Sequence, residues 1–395
     1  MRPNWTLLLL VAAVAVVVAL FLAGKPTKHS RKVGAPAAGT YTPGPRGADA
    51  KGGSDPPQPS NVSSTTGRTG DVVSRRLAAL LAELENGVPP ARVLQLLAEL
   101  RRVVHLLPPE QAAEALIAFL ETGDDRTTGL GFEIGAEGVM RETPTVRTAV
   151  VDLLGQTDPL QSVAYSRRII EATDSPDEYA LALRNLAWSF PGAVPREELV
   201  AAFMSMLARG EWTARPSRGF LEAFDVAVVT GSAGDLSPLL KNQPLGGLEP
   251  PLSRAAFVAL DRMVLRDPAA LAEKFKGDPS FLANAPFHRA SLIARLDPRD
   301  AAQKDLLVSY LLRPDHAPGE LEYFAEVFPN PNRFASNRLV TAPEAGGSIA
   351  EQAALDRAVL EVVGQLLDEA DAASAAKPTL RAIREKLTKA MTSGP

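Results

Sequence analysis

The chain has 395 residues, 46% of them hydrophobic, with 42 Lys plus Arg against 46 Asp plus Glu and no cysteine. Such a composition can bury a core, and the missing cysteine excludes a disulfide framework, thiolate-held zinc or iron–sulfur centres, a cysteine nucleophile and a lipid-modified N-terminal cysteine. The net charge of −4 is unevenly divided, since residues 1–70 carry eight Lys or Arg and two Asp, whereas residues 71–395 carry 34 basic and 44 acidic side chains. An acidic body repels phosphate backbones, so nucleic acid is not an expected partner.

After a short tail (residues 1–6), Leu7 to Ala23 reads LLLLVAAVAVVVALFLA, a run without a polar group between Trp5 and Lys25. As a helix it spans about 26 Å, close to the hydrocarbon thickness of a bilayer, and it is read as a transmembrane anchor. A cleavable signal peptide has the same charged start and apolar run, but an Ala-x-Ala site is poor here because ending at Ala23 puts Phe21 at the −3 position. Two signals oppose each other on orientation. Lys25, Lys28, Arg31 and Lys32 after the run would keep the body in the cytoplasm, while the six-residue head is that of an export signal. The reading taken is an inner (plasma) membrane protein, single-pass, with its bulk extracytoplasmic (periplasmic); the cytoplasmic-facing arrangement is the alternative.

Gly24 to Gly70 holds seven Pro and nine Gly, with Val33, Tyr41 and Val62 as its only large apolar side chains. It cannot bury enough surface to fold and is expected as a disordered linker, with a root-mean-square span of roughly 35–40 Å.

Beyond it, the pattern predicts an all-α body. In the first helical lobe (71–122), apolar residues fall at three- and four-residue intervals: Leu77, Leu80, Leu81, Leu84, then Val93, Leu96, Leu97, Leu100, Val104. The same period runs through Tyr179, Ala182, Leu183, Leu186 and Phe190 and reaches Leu355, Val359, Val362, Val363 and Leu366. Prolines mark the starts. Thr143-Pro144, Asp158-Pro159, Ser175-Pro176, Ser237-Pro238, Asp267-Pro268, Asp278-Pro279 and Asp297-Pro298 each place a side-chain oxygen at an N-cap and proline at the first helical position. Val226 to Thr230 is the best strand candidate, and it is assigned to a helix begun at Phe220.

Between the first lobe and the next helices, Gly123 to Glu142 breaks the pattern. Its GLGFEIG run fails the spacing of a dinucleotide fingerprint and follows a helix, not a strand. Asp124, Asp125, Glu133, Glu137 and Glu142 could supply a carboxylate pair for glycoside-type chemistry; their plainer role is a solvated acidic loop. The four histidines, His29, His105, His288 and His316, are scattered, so no metal site is expected. Neither is a cofactor.

Thr143 to Gly155 (TPTVRTAVVDLLG) resembles a helix of a HEAT repeat at Pro144, Val146-Arg147, Ala149 and Leu154-Gly155. The cap marks at Thr143, Asp158 and Ser175 step by fifteen and seventeen residues, a two-helix unit shorter than the usual HEAT length. The resemblance implies an α-solenoid of short antiparallel helix pairs over residues 143–328, with a face that binds other proteins. The alternative is a non-repeating all-helical domain.

Two further breaks, Gly231–Pro251 and Phe328–Ser348, precede a C-terminal helical pair (349–395). Overlapping the start of the second is Glu320–Phe334 (ELEYFAEVFPNPNRF), where Tyr323, Phe328, Asn330, Asn332, Arg333 and Phe334 combine aromatics with Asn and Arg on an irregular loop. Such a mixture suits protein recognition; the other reading is a plug on the end of the helical stack. The expected function is a membrane-anchored, non-catalytic scaffold binding another protein of the cell envelope, with an envelope enzyme using the acidic-loop carboxylates as the alternative.

Overall fold

A computed structural model of the chain describes residues 66–241, 249–345, 347–369 and 375–393. The apolar run at 7–23 and the linker up to residue 65 lie outside the described residues. Among the described residues no helix is long and apolar enough to cross a membrane.

The body is all-helical, and its helices pack in two rows. One row contains α2 (Pro90–Leu106), α4 (Val146–Thr157), α6 (Pro176–Trp188), α10 (Asp225–Thr230), α12 (Pro251–Arg266), α14 (Pro286–Ile293), α16 (Glu320–Val327) and α18 (Lys377–Ser393). Each packs on the next member of that row. The other row contains α1 (Thr66–Glu85), α3 (Pro109–Thr122), α5 (Pro159–Ala172), α7 (Arg196–Leu207), α13 (Pro268–Gly277), α15 (Ala301–Leu312) and α17 (Ile349–Asp368). Short helices α8 (Gly210–Ala214), α9 (Arg218–Glu222) and α11 (Ala233–Leu236) fill the turns.

The rows differ in burial. In α6 every residue from Glu178 to Ala187 is buried, and in α12 Ser253 and Ala255 to Arg262 are buried, polar side chains included. In the other row only a stripe is covered: Leu199, Ala202, Phe203 and Met206 in α7, and Leu307, Tyr310 and Leu311 in α15. We call the first the covered row and the second the open row. The open row has the one-sided stripe that its periodicity predicts. The covered row is roofed on its polar side by the loop around residues 133–142 and by the continuous stretch 330–344.

Several helix starts follow the predicted caps. Asp158 accepts the N–H groups of Leu160 and Gln161, Ser175 that of Glu178 and Asp267 that of Ala270. Others do not. α4 opens at Thr145, not Thr143, because residues 126–128 pair with this stretch: Thr128 N–H donates to Pro144 O, Val146 N–H to Arg126 O, and Thr127 bridges Thr145. That pairing keeps the backbone extended through Thr145, which caps with Thr148 in a reciprocal box. Asp278 begins a run of turns, Asp297 yields its cap role to Asp300, and Ser237 opens only a three-residue 3-10 turn. The helix expected from Phe220 through Thr230 breaks at Ala223-Phe224 into α9 and α10. Helix α1 opens at Thr66, inside the stretch expected as linker. In the Gly123–Glu142 loop, β1 (Glu133–Ile134) and β2 (Met140–Glu142) form a small antiparallel hairpin around a 3-10 turn.

Candidate functional site

Among the described residues, four buried acid–arginine pairs sit between successive members of the covered row. Arg289 of α14 meets Glu320 of α16 at 2.6 Å, with Glu320 accepting the Ala317 N–H. The other three, all Asp–Arg, each grip main chain from the segments that roof the row. Asp152 of α4 meets Arg184 of α6 at 2.6 Å, Asp225 of α10 meets Arg262 of α12 at 2.9 Å, and Asp261 of α12 meets Arg295, just past α14, at 2.8 Å. All six of these Asp and Arg side chains are essentially fully buried. Taking such charges from water is costly, and burial pushes the carboxyls of Asp225 and Asp261 up against the pull of their arginines. What offsets the cost is hydrogen bonding to everything nearby.

The first Asp–Arg pair holds the hairpin. Met140 N–H donates to Asp152 at 3.2 Å and Arg184 donates to Gly138 O at 3.0 Å, while the Arg184 guanidinium lies 4.1 Å over the Trp188 ring. The second pair holds residues 340–344. Val340 N–H, Thr341 N–H and the Thr341 hydroxyl each donate to Asp225 at 2.7 Å, and Arg262 donates to Ala342 O and to the Glu344 carboxylate. Beside them Glu222 of α9, also buried, accepts the Arg338 N–H at 3.1 Å. Burial pushes the Glu222 carboxyl up, opposed by Arg218. The third pair holds the aromatic segment: Arg295 donates to Asn330 O at 2.6 Å and to Asn332 O, and the Asn330 N–H donates to Ala294 O at 2.9 Å.

The structure divides the residues expected as a recognition patch. Phe328 is fully buried and stacks on Phe324 at 4.8 Å, so no partner can touch it without opening the core. Tyr323 packs edge-on against Phe287 at 5.7 Å, and Phe334 against Phe257 at 5.8 Å. Asn330 is half-buried on the Arg295 grip, while Asn332 and Arg333 are exposed. The patch therefore offers two polar side chains and the edge of an aromatic layer.

Of the acidic-loop carboxylates, Asp125 accepts the Arg147 N–H, Glu133 pairs with Arg141 at 3.2 Å and Glu142 accepts the Gly131 N–H. Glu133 and Glu137 line a cleft of about 580 Å³ with Glu222, Arg218 and Arg338. A second cleft of about 880 Å³ between α10, α12 and α13 is largely apolar, with Arg266 and Lys274 among its lining residues.

Sequence reasoning passed over the six clamp residues, although a signal was present. Asp152 stands within AVVDLL and Asp261-Arg262 within FVALDRMVL, charges inside otherwise apolar stretches. Their partners lie 32, 37 and 34 residues away, one helix pair along.

No known family model, curated protein or solved structure matches the chain.

Proposed function

We propose that the chain is a non-catalytic docking platform, a HEAT-like α-solenoid of antiparallel helix pairs tethered by its N-terminal apolar run to the inner membrane, with the body on the extracytoplasmic side, where it binds another envelope protein. One observation carries this reading: backbone at three places, in the hairpin at 138–140 and twice along residues 330–344, is held by repeated Asp–Arg pairs, at Asp152–Arg184, Asp261–Arg295 and Asp225–Arg262. A row of buried side chains that grips peptide groups is the chemistry of polypeptide binding. The two-row packing, the one-pair spacing of the clamps and the exposed Asn332 and Arg333 beside the third clamp support it. The test is crosslinking in intact membranes with identification of what is captured, scored with protease accessibility of residues 24–65. Capture of a protein that is lost in Asn332→Ala/Arg333→Ala supports the platform and the patch together. Failure of outside protease to cut the linker removes the extracytoplasmic placement.

The enzyme reading retains one favourable observation, the shared cleft of Glu133, Glu137 and the raised Glu222. A raised carboxyl beside a second carboxylate can act as a general acid. Glycan hydrolysis by the purified chain, abolished in Glu222→Gln, would establish it in place of the platform.

A further inference from the structure

The clamp at Asp225 and Arg262 holds its segment differently from the other two. The hairpin under Asp152 has its own strand pairing, and the segment under Arg295 continues directly from the end of α16. Residues 337–344 have neither support. They run without helix or strand, and side chains of α9, α10 and α12 satisfy their successive polar groups: Glu222 takes the Arg338 N–H, Asp225 takes two consecutive N–H groups and a hydroxyl, and Arg262 donates to a carbonyl and a carboxylate. Consecutive N–H donors followed by a carbonyl are what an extended polypeptide backbone presents.

The site also reads side chains. Leu339 is fully buried, and its carbonyl passes so close to Gly138 that a Cβ there would lie 2.4 Å from it and 3.3 Å from the Trp188 ring. Thr341 is bonded through its hydroxyl to both Asp225 and Arg262. Glu344 meets Arg262 at 2.8 Å and Arg266 at 3.9 Å. The stretch before it is tied down independently of this site. Lys386 of α18 donates to the carbonyls of Ala325, Glu326 and Phe328 at the end of α16, and Arg295 keeps Asn330 and Asn332, so the chain is anchored upstream of residue 337.

We propose that the Glu222–Asp225–Arg262 site receives an extended peptide of a partner protein, bearing a leucine-like side chain, a threonine two residues on and a carboxylate three further on, in exchange for the chain's own residues 337–344. The resident segment is then a built-in competitor that holds the site closed until a partner segment of the same pattern arrives. The proposal rests on the docking-platform reading and fails separately from it.

The probe is a fluorescein-labelled synthetic peptide of residues 336–345, titrated by anisotropy against the full chain and against the full chain with 337–344 replaced by Gly and Ser. The replaced chain binds the peptide at least about ten-fold more tightly than the native chain, and peptide changes Leu339→Ser and Thr341→Val each weaken binding about ten-fold, the first by losing a buried apolar side chain and the second by losing a hydrogen bond to a buried charge. A replaced chain that melts cooperatively yet takes up no peptide overturns the proposal. Hydrogen exchange on the unaltered chain decides the matter independently of that variant: the Val340 and Thr341 amides exchange about a hundred-fold or more faster than those of Phe257 to Leu260 in α12, as expected of a segment that opens locally. Equal protection makes the segment part of the permanent core and overturns the exchange. Capture of a membrane partner that the peptide cannot compete away leaves the platform standing and removes this site from it.

Discussion

Helices α6 and α7 are neighbours in the chain and similar in length, yet they obey different rules. Helix α7 buries Leu199, Ala202, Phe203 and Met206 and leaves its other side to water, where Glu198 pairs with Arg167 at 2.7 Å. Helix α6 buries ten consecutive residues, among them Glu178, Arg184 and Asn185. The difference teaches where charge counts in this protein. An ion pair on the open row is solvated whether made or broken, and so adds at most about 1 kcal/mol. A pair on the covered row has no water to fall back on, and removing one partner strands the other, at a cost of about 3–5 kcal/mol.

The largest expected effect follows directly. Arg262→Met strands Asp225 and Glu344 and releases Ala342 O, and its urea midpoint should fall by the equivalent of about 3–5 kcal/mol, whereas Arg167→Ala should cost about 1 kcal/mol or less. Equal losses in the two variants would show that the roof over the covered row lets water in, and the distinction between the rows would collapse.

That distinction also explains what could be read from the residues. The helical class, the proline-marked starts at Asp158, Ser175 and Asp267, and the apolar stripes of the open row are local properties of a few consecutive side chains, and they were legible. The roof was not. Nothing within residues 328–344 says that this stretch lies over Asp225, more than a hundred positions earlier in the chain, because the contact is made by peptide groups that every residue possesses. For the same reason Phe328 in FPNPNRF resembled a surface aromatic: its burial depends on Phe324 and on the end of α16, not on its own neighbours in the chain. Thr143 failed as a cap because residues 126–128, across a loop, claimed its backbone first.

Glycine gives a second contrast, smaller and opposite in sign. A Cβ on Gly155 of α4 would lie 2.2 Å from the Asn185 Oδ1, which is itself bonded to Arg184. Gly155→Ala should therefore destabilise by about 1–3 kcal/mol through overpacking. Gly364 of α17 faces open space, so Gly364→Ala should stabilise by about 0.5–1 kcal/mol through helix propensity and a less entropic unfolded chain. Thermal midpoints that move in the same direction for both would contradict the assignment of the two rows.

Caps should not distinguish the rows at all. Ser175 on α6 and Asp158 on α5 each accept first-turn N–H donors, so Ser175→Ala and Asp158→Ala should each cost about 1 kcal/mol in chemical denaturation. A much larger loss at Ser175 would mean that the covered row amplifies every defect, not only stranded charge.

The smallest effect separates exposed from buried carboxylates by the sign of their pH dependence. Asp315 is 69% exposed and is held down to about 2 by the paired bonds from Arg313. Its folded value lies below its unfolded one, so the stability it contributes is complete above the usual carboxylate value near 4 and is lost as the pH falls through about 2. Solvent screening limits that contribution to about 0.5 kcal/mol, and salt should erode it further. Glu222 runs the other way. Burial raises its carboxyl, so its contribution is greatest while it is protonated and declines as the pH rises through its raised folded value. Urea midpoints followed across the acid range should show Asp315→Asn flattening the low-pH fall and Glu222→Gln flattening the decline above it. If Glu222→Gln flattens the low-pH limb instead, Arg218 outweighs burial at that carboxylate, and the cleft beside the hairpin is wetter than its lining implies.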